Sequence, residues 1–108
     1  SGLSLRDRLT ARAVVTLLRS ARRDPRVSAA FYRSLPLAGV NGTLEDRMER
    51  GPAFARVRAK TGTTENASAL SGFARRRYVF SILQNANPIP SWSARRAQDR
   101  FAQILAGA

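Results

Sequence analysis

Residues 55–61, ARVRAKT, alternate strictly between small apolar and cationic side chains up to Lys60. A period of two is met only by an extended strand with one buried face. Ala55, Val57 and Ala59 are expected to face a core, and Arg56, Arg58 and Lys60 to face away from it. Upstream the period is different. Thr10 is followed by ARAVVTLLRSARR, in which Leu9, Ala13, Val14, Leu17, Leu18 and Ala21 recur at helical spacing. Thr10 is the N-cap type, and Asp24-Pro25 is the stop signal. A chain that changes period in this way must combine helices with a sheet.

The remaining elements follow from the same rules. RVSAAFYRSL reads as a second short helix closed by Pro36, and PLAGVNGTL as a loop in which Gly39, Asn41 and Gly42 tolerate positive φ. LEDRMERG has room for about one helical turn. SALSGFA and RRYVFSILQN read as two further strands, with Gly72 marking a bulge or a close approach. Arg75–Arg77 sit in a tight hairpin connection. SWSARRAQDRFAQILAGA closes the chain as a helix with Ser91 or Ser93 as cap and a stripe of Ala94, Ala97, Phe101, Ile104 and Leu105. The order is helix, helix, loop, three strands, helix. This predicts an α/β (α+β) fold with an antiparallel three-stranded meander flanked by helices.

Composition narrows the chemistry. The 108 residues contain neither cysteine nor histidine. Thiolate metal sites, disulfides and Ser-His or Cys-His catalysis are therefore excluded within this sequence, and neither metal nor cofactor is expected. No apolar run approaches the ~20 residues of a membrane span. The formal charge of +12 attracts polyanions, so a basic nucleic-acid-binding module is an alternative. Against it, the arginines are spread over every element, and no recognised nucleic-acid motif occurs. No specific nucleic-acid partner is therefore expected. Nineteen cationic residues include one lysine. High-GC coding explains an arginine habit. A lysine kept against that habit marks a place that requires a compact ammonium.

That lysine opens the sequence Lys60-Thr61-Gly62-Thr63. At a strand edge these residues suit an extended peptide ending in a carboxylate. The peptide pairs with the strand backbone. Gly62 has no Cβ to hold it off, and hydroxyls and ammonium receive the negative end. The N–H of Thr63 is an oxyanion donor if the edge is free.

Lys-Thr-Gly is also one of three signature elements of penicillin-binding proteins and class A β-lactamases. The surrounding text resembles one branch of that group. SGLSLRDRLT resembles the Ser-Gly-Leu-Ser-Arg segment of the low-molecular-mass D-Ala-D-Ala carboxypeptidase/endopeptidase family (peptidase family S13). SLPLAGVNGTLEDRM is similar to its Leu-Pro-x-Ala-Gly-x-Asp-Gly-Thr-Leu loop. VRAKTGTTENASALSGFA is similar to its Lys-Thr-Gly-Thr/Ser strand and the strand after it. These segments are co-linear from Ser1 to about Asn85, and the closing helix matches by position.

The resemblance implies a serine DD-peptidase with a penicillin-binding, β-lactamase-like transpeptidase domain, working in the cell envelope outside the cytoplasm. Its substrates are peptidoglycan stem peptides ending in D-Ala-D-Ala, and β-lactams acylate the same serine. By the resemblance, Lys60 supports the cleft electrostatics, and Thr61 and Thr63 hydroxyls bind the terminal carboxylate. Gly62 keeps the strand slim, and Thr63 N–H is one oxyanion donor. The family's Ser-x-x-Lys nucleophile and Ser-x-Asn motifs do not occur in these 108 residues. Residues 1–108 are therefore expected to be the C-terminal portion of a serine DD-peptidase domain. Such a portion is inactive alone, completed by the enzyme's N-terminal part, and prone to self-association through uncovered apolar faces. A scaffold or inhibitor derived from a decayed gene is the other outcome weighed. After the motif, Glu65-Asn66-Ala67 stands where the family carries a glycine and an apolar residue after Lys-Thr-Gly-Thr-x-x. Asn66 is expected in a left-handed turn, and Glu65 as an exposed turn residue, with tuning of substrate choice or pairing with Arg56 or Arg58 as the alternative.

Overall fold

A computed structural model describes residues 10–86, 88 and 90–108. Leu9 and the Ser-Gly-Leu-Ser segment at the start lie outside the described residues. Thr10 caps helix α1 (Ala11–Arg23), its hydroxyl accepting from the Ala13 N–H at 3.0 Å. Helix α2 (Ser28–Ser34) follows and ends two residues before Pro36. Strands β1 (Val57–Thr63), β2 (Ala67–Ala74) and β3 (Tyr78–Asn85) form an antiparallel meander in that spatial order. Helix α3 (Ser91–Ala106) closes the chain. The α+β architecture expected from the change of period is the one observed.

The register sorts the sheet into two faces. Val57, Ala59 and Thr61 lie opposite Ala74, Gly72 and Leu70, which lie opposite Tyr78, Phe80 and Ile82. This face packs with Ala102 and Ala106 of α3 and with Ala38, Leu44, Met48 and Ala53 of the long loop. The other face presents Phe73 and Val79 to Val14 and Leu18 of α1, and to Phe31, Tyr32 and Leu35 of the α2 region. Phe31 meets Phe73 edge to face at 6.4 Å. Covered on both faces, β2 carries the near-continuous apolar run of a central strand.

Gly72 is required by close approach. A Cβ there would lie 2.1 Å from the Arg58 carbonyl oxygen and 2.6 Å from Ala59 Cα. The pairing runs through Gly72 without a bulge.

Several sequence expectations need correction. Ala55 lies outside β1 at φ 57°, exposed, so the alternation begins to bury side chains only at Val57. Leu17 is 68% exposed, because α1 touches the sheet through Val14 and Leu18. The buried seam of α3 is Ala94, Gln98, Ala102 and Ala106. These small residues bring the helix close to the sheet, and Phe101 and Ile104 rotate outward. Pro90 occupies the α3 N-cap position, and no side chain caps it. The single helical turn falls at Gly42–Leu44 rather than after Leu44. Asn41 has φ −149°, and its Oδ1 instead accepts from the Leu37 N–H at 2.9 Å. Asn66 also stays out of the left-handed region, which Arg75 and Arg76 adopt in the β2–β3 turn. Their charges are used: Arg75 donates to the Ala106 and Ala108 carbonyls, and Arg76 lies 4.4 Å from the Tyr32 ring centroid.

The α1–α2 corner is fastened by Asp24, whose carboxylate accepts from both the Arg26 guanidinium and its backbone N–H. The Arg26 side chain holds this carboxyl below its ordinary value, followed in effect by the backbone bond. A depressed carboxyl stabilises the fold above its unfolded-state pKa and loses that contribution as pH falls through the lower folded value. Acid titration of the fold is therefore expected to show a small loss of stability at that corner. Comparison with Asp24→Asn by thermal melts from neutral pH downward checks it: an identical acid slope in the two proteins would contradict the assignment.

Candidate functional site

Being first in the meander, β1 has one free edge. Ala38 N–H donates to the Val57 carbonyl and Ala59 N–H to the Pro36 carbonyl, so the Pro36–Ala38 segment covers the first half of that edge. In an antiparallel strand alternate residues turn both backbone groups to the same side. The backbone groups of Thr61 and Thr63 are thus directed outward, beyond the covered stretch. Among the described residues, the edge opens where Lys60-Thr61-Gly62-Thr63 begins.

Alternation places the side chains as follows. Thr61 and Thr63 share the α3 side of the sheet with Leu70 and Ser68. Lys60 and Gly62 belong to the opposite side. Lysine and threonines can therefore converge only at the edge itself. The exposed Lys60 does reach it, its Nζ donating to the Thr61 carbonyl at 2.8 Å. Gly62 is not demanded by packing within the described residues, since a Cβ there would meet only Ala69 Cβ at an ordinary 3.8 Å.

A cavity of about 550 Å³ lies along this edge, lined by Thr43, Asp46, Arg47, Lys60, Thr61, Gly62, Thr63 and Arg95. All four residues singled out from the sequence meet here. The structure adds four that sequence reasoning missed. Thr43 comes from the Gly42–Leu44 turn, and its hydroxyl bonds that of Thr61 at 3.0 Å. Asp46 and Arg47 follow it in the loop, and Arg95 comes from α3. The loop containing Thr43 was visible as a motif, but nothing in it indicated contact with β1.

The cavity wall is held by a buried polar network. Arg47 Nη2 and Nε donate to Asp99 Oδ1 at 2.6 and 3.0 Å. The same Nη2 donates to Gln98 Oε1 at 3.1 Å. Gln98, fully buried, donates through Nε2 to Ser68 Oγ at 2.8 Å and Gln84 Oε1 at 2.9 Å. Ser68 is the cross-strand partner of Thr63. Loop, helix and sheet are thus fixed to one another beside the open edge, and no buried side-chain polar atom lacks a partner among the described residues.

Glu65 is exposed and makes no ion pair with Arg56 or Arg58; the ion pairs among the described residues are Arg26–Asp24 and Arg47–Asp99. Arg58 donates to the Arg33 and Leu35 carbonyls and lies 5.1 Å from the Tyr32 ring centroid. Much of the arginine surface therefore serves carbonyl groups and aromatic faces. No cluster of three or more metal-ligating side chains occurs among the described residues. No helix among them is long and apolar enough to cross a membrane.

Comparison with known proteins agrees with the motifs around this edge. The family model of the D-Ala-D-Ala carboxypeptidase 3 (S13) family matches residues 1–107. The chain is 40% identical over 114 aligned positions to a D-alanyl-D-alanine carboxypeptidase of Actinomadura sp. (strain R39), an alignment covering 98% of the chain and 21% of that protein. The chain thus spans about a fifth of the length of this curated relative. With the Lys-Thr-Gly-Thr strand at an open edge and the match extending over almost every residue, the chain belongs to the D-Ala-D-Ala carboxypeptidase 3 (S13) family.

Proposed function

We propose that this chain is the C-terminal, substrate-binding part of a serine-type D-Ala-D-Ala carboxypeptidase acting on peptidoglycan stem peptides. The observation that carries the reading is the edge of β1 at Thr61 and Thr63, uncovered among the described residues and beside a cavity lined by cations and hydroxyls. A stem peptide adds to that edge as an extended strand. The Thr63 hydroxyl, and that of Thr61 once turned from Thr43 Oγ1, donate charge-assisted hydrogen bonds to its terminal carboxylate, or to that of a penicillin. The outward N–H of Thr63 supplies one of two oxyanion donors, preorganised because the strand is already fixed. Lys60 supplies the positive potential at the reacting end, and Gly62 lets the peptide approach.

The nucleophile is not among these residues. Neither Ser-x-x-Lys nor Ser-x-Asn occurs in the 108 positions, so the serine is supplied by enzyme sequence outside them. The chain alone is then inactive, because no acyl-enzyme forms without the nucleophile. The same reading places the enzyme outside the cytoplasm with its wall substrate. The exposed Leu17, Trp92 and Ile104 are covered by the rest of the enzyme or, in the isolated chain, by a second copy.

A fluorescent penicillin tests this. The protein extended to include a Ser-x-x-Lys segment is expected to label covalently, and the 108-residue chain is not. In the extended protein, Thr63→Val should slow acylation by about ten- to a hundredfold, the loss of a hydrogen bond to a charged group. Covalent labelling of the 108-residue chain, or an unimpaired Thr63→Val protein, would overturn the proposal.

A further inference from the structure

We propose that Arg95 is a cationic anchor for the substrate's terminal carboxylate; this rests on the substrate-strand reading above and adds a residue to it. A carboxylate seated on the Thr61 and Thr63 hydroxyls lies on the α3 side of β1. Lys60 leaves the strand on the opposite side, and its ammonium is drawn to the Thr61 carbonyl. Arg47 lines the same cavity, but its charge is committed to Asp99 in a two-point contact and to Gln98. Arg95 is the cation on the correct side whose charge is unspent. It is exposed, lines the cavity, and makes no ion pair among the described residues.

Its freedom has a structural cause. Asp99 stands four residues after Arg95 on α3, the spacing at which opposite charges ordinarily pair along a helix. Arg47 takes that carboxylate instead. Arg47 Nη2 also donates to the Arg95 carbonyl at 3.4 Å, which fixes the turn from which the Arg95 side chain leaves. The loop arginine thus occupies the partner that would otherwise hold Arg95 along the helix. The first turn of α3 carries no acidic residue, so the positive end of the helix dipole adds to the same potential. One carboxylate opposes it: Asp46, exposed in the cavity lining. An anion bound here is attracted by Arg95 and repelled by Asp46, so the two residues predict effects of opposite sign.

The test uses the protein extended to include the Ser-x-x-Lys segment, its serine changed to alanine, and two probes, N-acetyl-D-Ala-D-Ala and the same peptide with its C-terminus amidated. Binding is followed by the backbone amide resonances of Thr61 and Thr63. Arg95→Gln is expected to weaken the carboxylate peptide by about two- to fivefold, the range of a solvent-exposed ion pair. The amidated peptide should bind Arg95→Gln as it binds the parent protein. Arg95→Lys should retain part of the preference for the carboxylate, and Asp46→Asn should strengthen it. Circular dichroism of each variant verifies an unchanged fold. Threonine shifts that persist in Arg95→Gln with undiminished affinity for the carboxylate peptide would overturn the role of Arg95 and leave the strand reading standing. Absence of any shift at Thr61 and Thr63 with either peptide would overturn the strand reading and the role of Arg95 with it.

Discussion

Gly72→Ala is expected to destabilise the chain by about 3 kcal/mol, the upper range for overpacking, and to lower its melting temperature by roughly 15 °C. The added methyl would lie 2.1 Å from the Arg58 carbonyl oxygen and 2.9 Å from Ala59 Cβ. Those atoms belong to the neighbouring strand and cannot turn aside as the tip of a flexible side chain would. Relief requires β1 to move away from β2. The strand that moves is the one that ends in Lys60-Thr61-Gly62-Thr63, so the geometry of the proposed substrate edge should suffer together with stability. The contrast is Gly62→Ala, where the only nearby atom among the described residues is Ala69 Cβ at 3.8 Å. That variant should melt close to the unmodified chain while losing affinity for an extended peptide. Thermal denaturation of the two proteins side by side separates a glycine needed by the fold from one needed by a ligand. Equal melting temperatures for Gly72→Ala and the unmodified chain would mean that β1 and β2 are not paired in this register.

The second large effect is expected at Gln98. Replacing it with leucine preserves most of the volume but removes a donor to Ser68 and Gln84 and an acceptor from Arg47. Ser68 is 2% exposed and has little access to water as a substitute partner. Leaving buried polar groups unpaired costs on the order of 1–3 kcal/mol, and the expected loss is about 2 kcal/mol. Denaturant unfolding measures it, with an unchanged slope showing that the unfolded surface is the same. A neutral or stabilising Gln98→Leu would mean that an apolar seam can replace the network, as happens with some buried polar clusters. Because Asp99 continues to hold Arg47, the cavity wall should loosen rather than detach.

Much of this was legible in the sequence because it depends on local periodicity. The change from a three-to-four repeat to strict alternation predicted helices on either side of a three-stranded meander. Thr10 marked the start of α1, and Gly72 a bulge or a close approach, of which the structure has the close approach. The Lys60–Thr63 segment was legible as the end of a strand carrying an ammonium, two hydroxyls and a glycine, and its reading as one wall of a substrate site came from the family resemblance of the surrounding segments. The errors have a common origin. Leu17, Phe101 and Ile104 fit apolar stripes by spacing, yet they are exposed. A stripe gives the apolar side of a helix, whereas the seam that is buried depends on the angle and distance at which the helix meets the sheet. For α3 that contact is made by Ala94, Gln98, Ala102 and Ala106, and a glutamine cannot be recognised as a core residue until its three partners are in place. Asn41 and Asn66 are of the type that tolerates positive φ, but side-chain and backbone hydrogen bonds hold both in other conformations.

The sequence by itself determined the elements, their order, the family, and the strand that carries the Lys-Thr-Gly-Thr motif, since each is encoded in neighbouring residues. Tertiary structure decided the rest of the site. Thr43 meets Thr61 across 18 positions, and Arg47 meets Asp99 across 52. It also decided that Pro36–Ala38 covers the β1 edge up to Ala59 and leaves Thr61 and Thr63 open among the described residues. Such long-range contacts arise only when loop, sheet and α3 close around one core. Their partners are selected by burial and by the need to satisfy every polar group brought inside, and no local repeat records that selection.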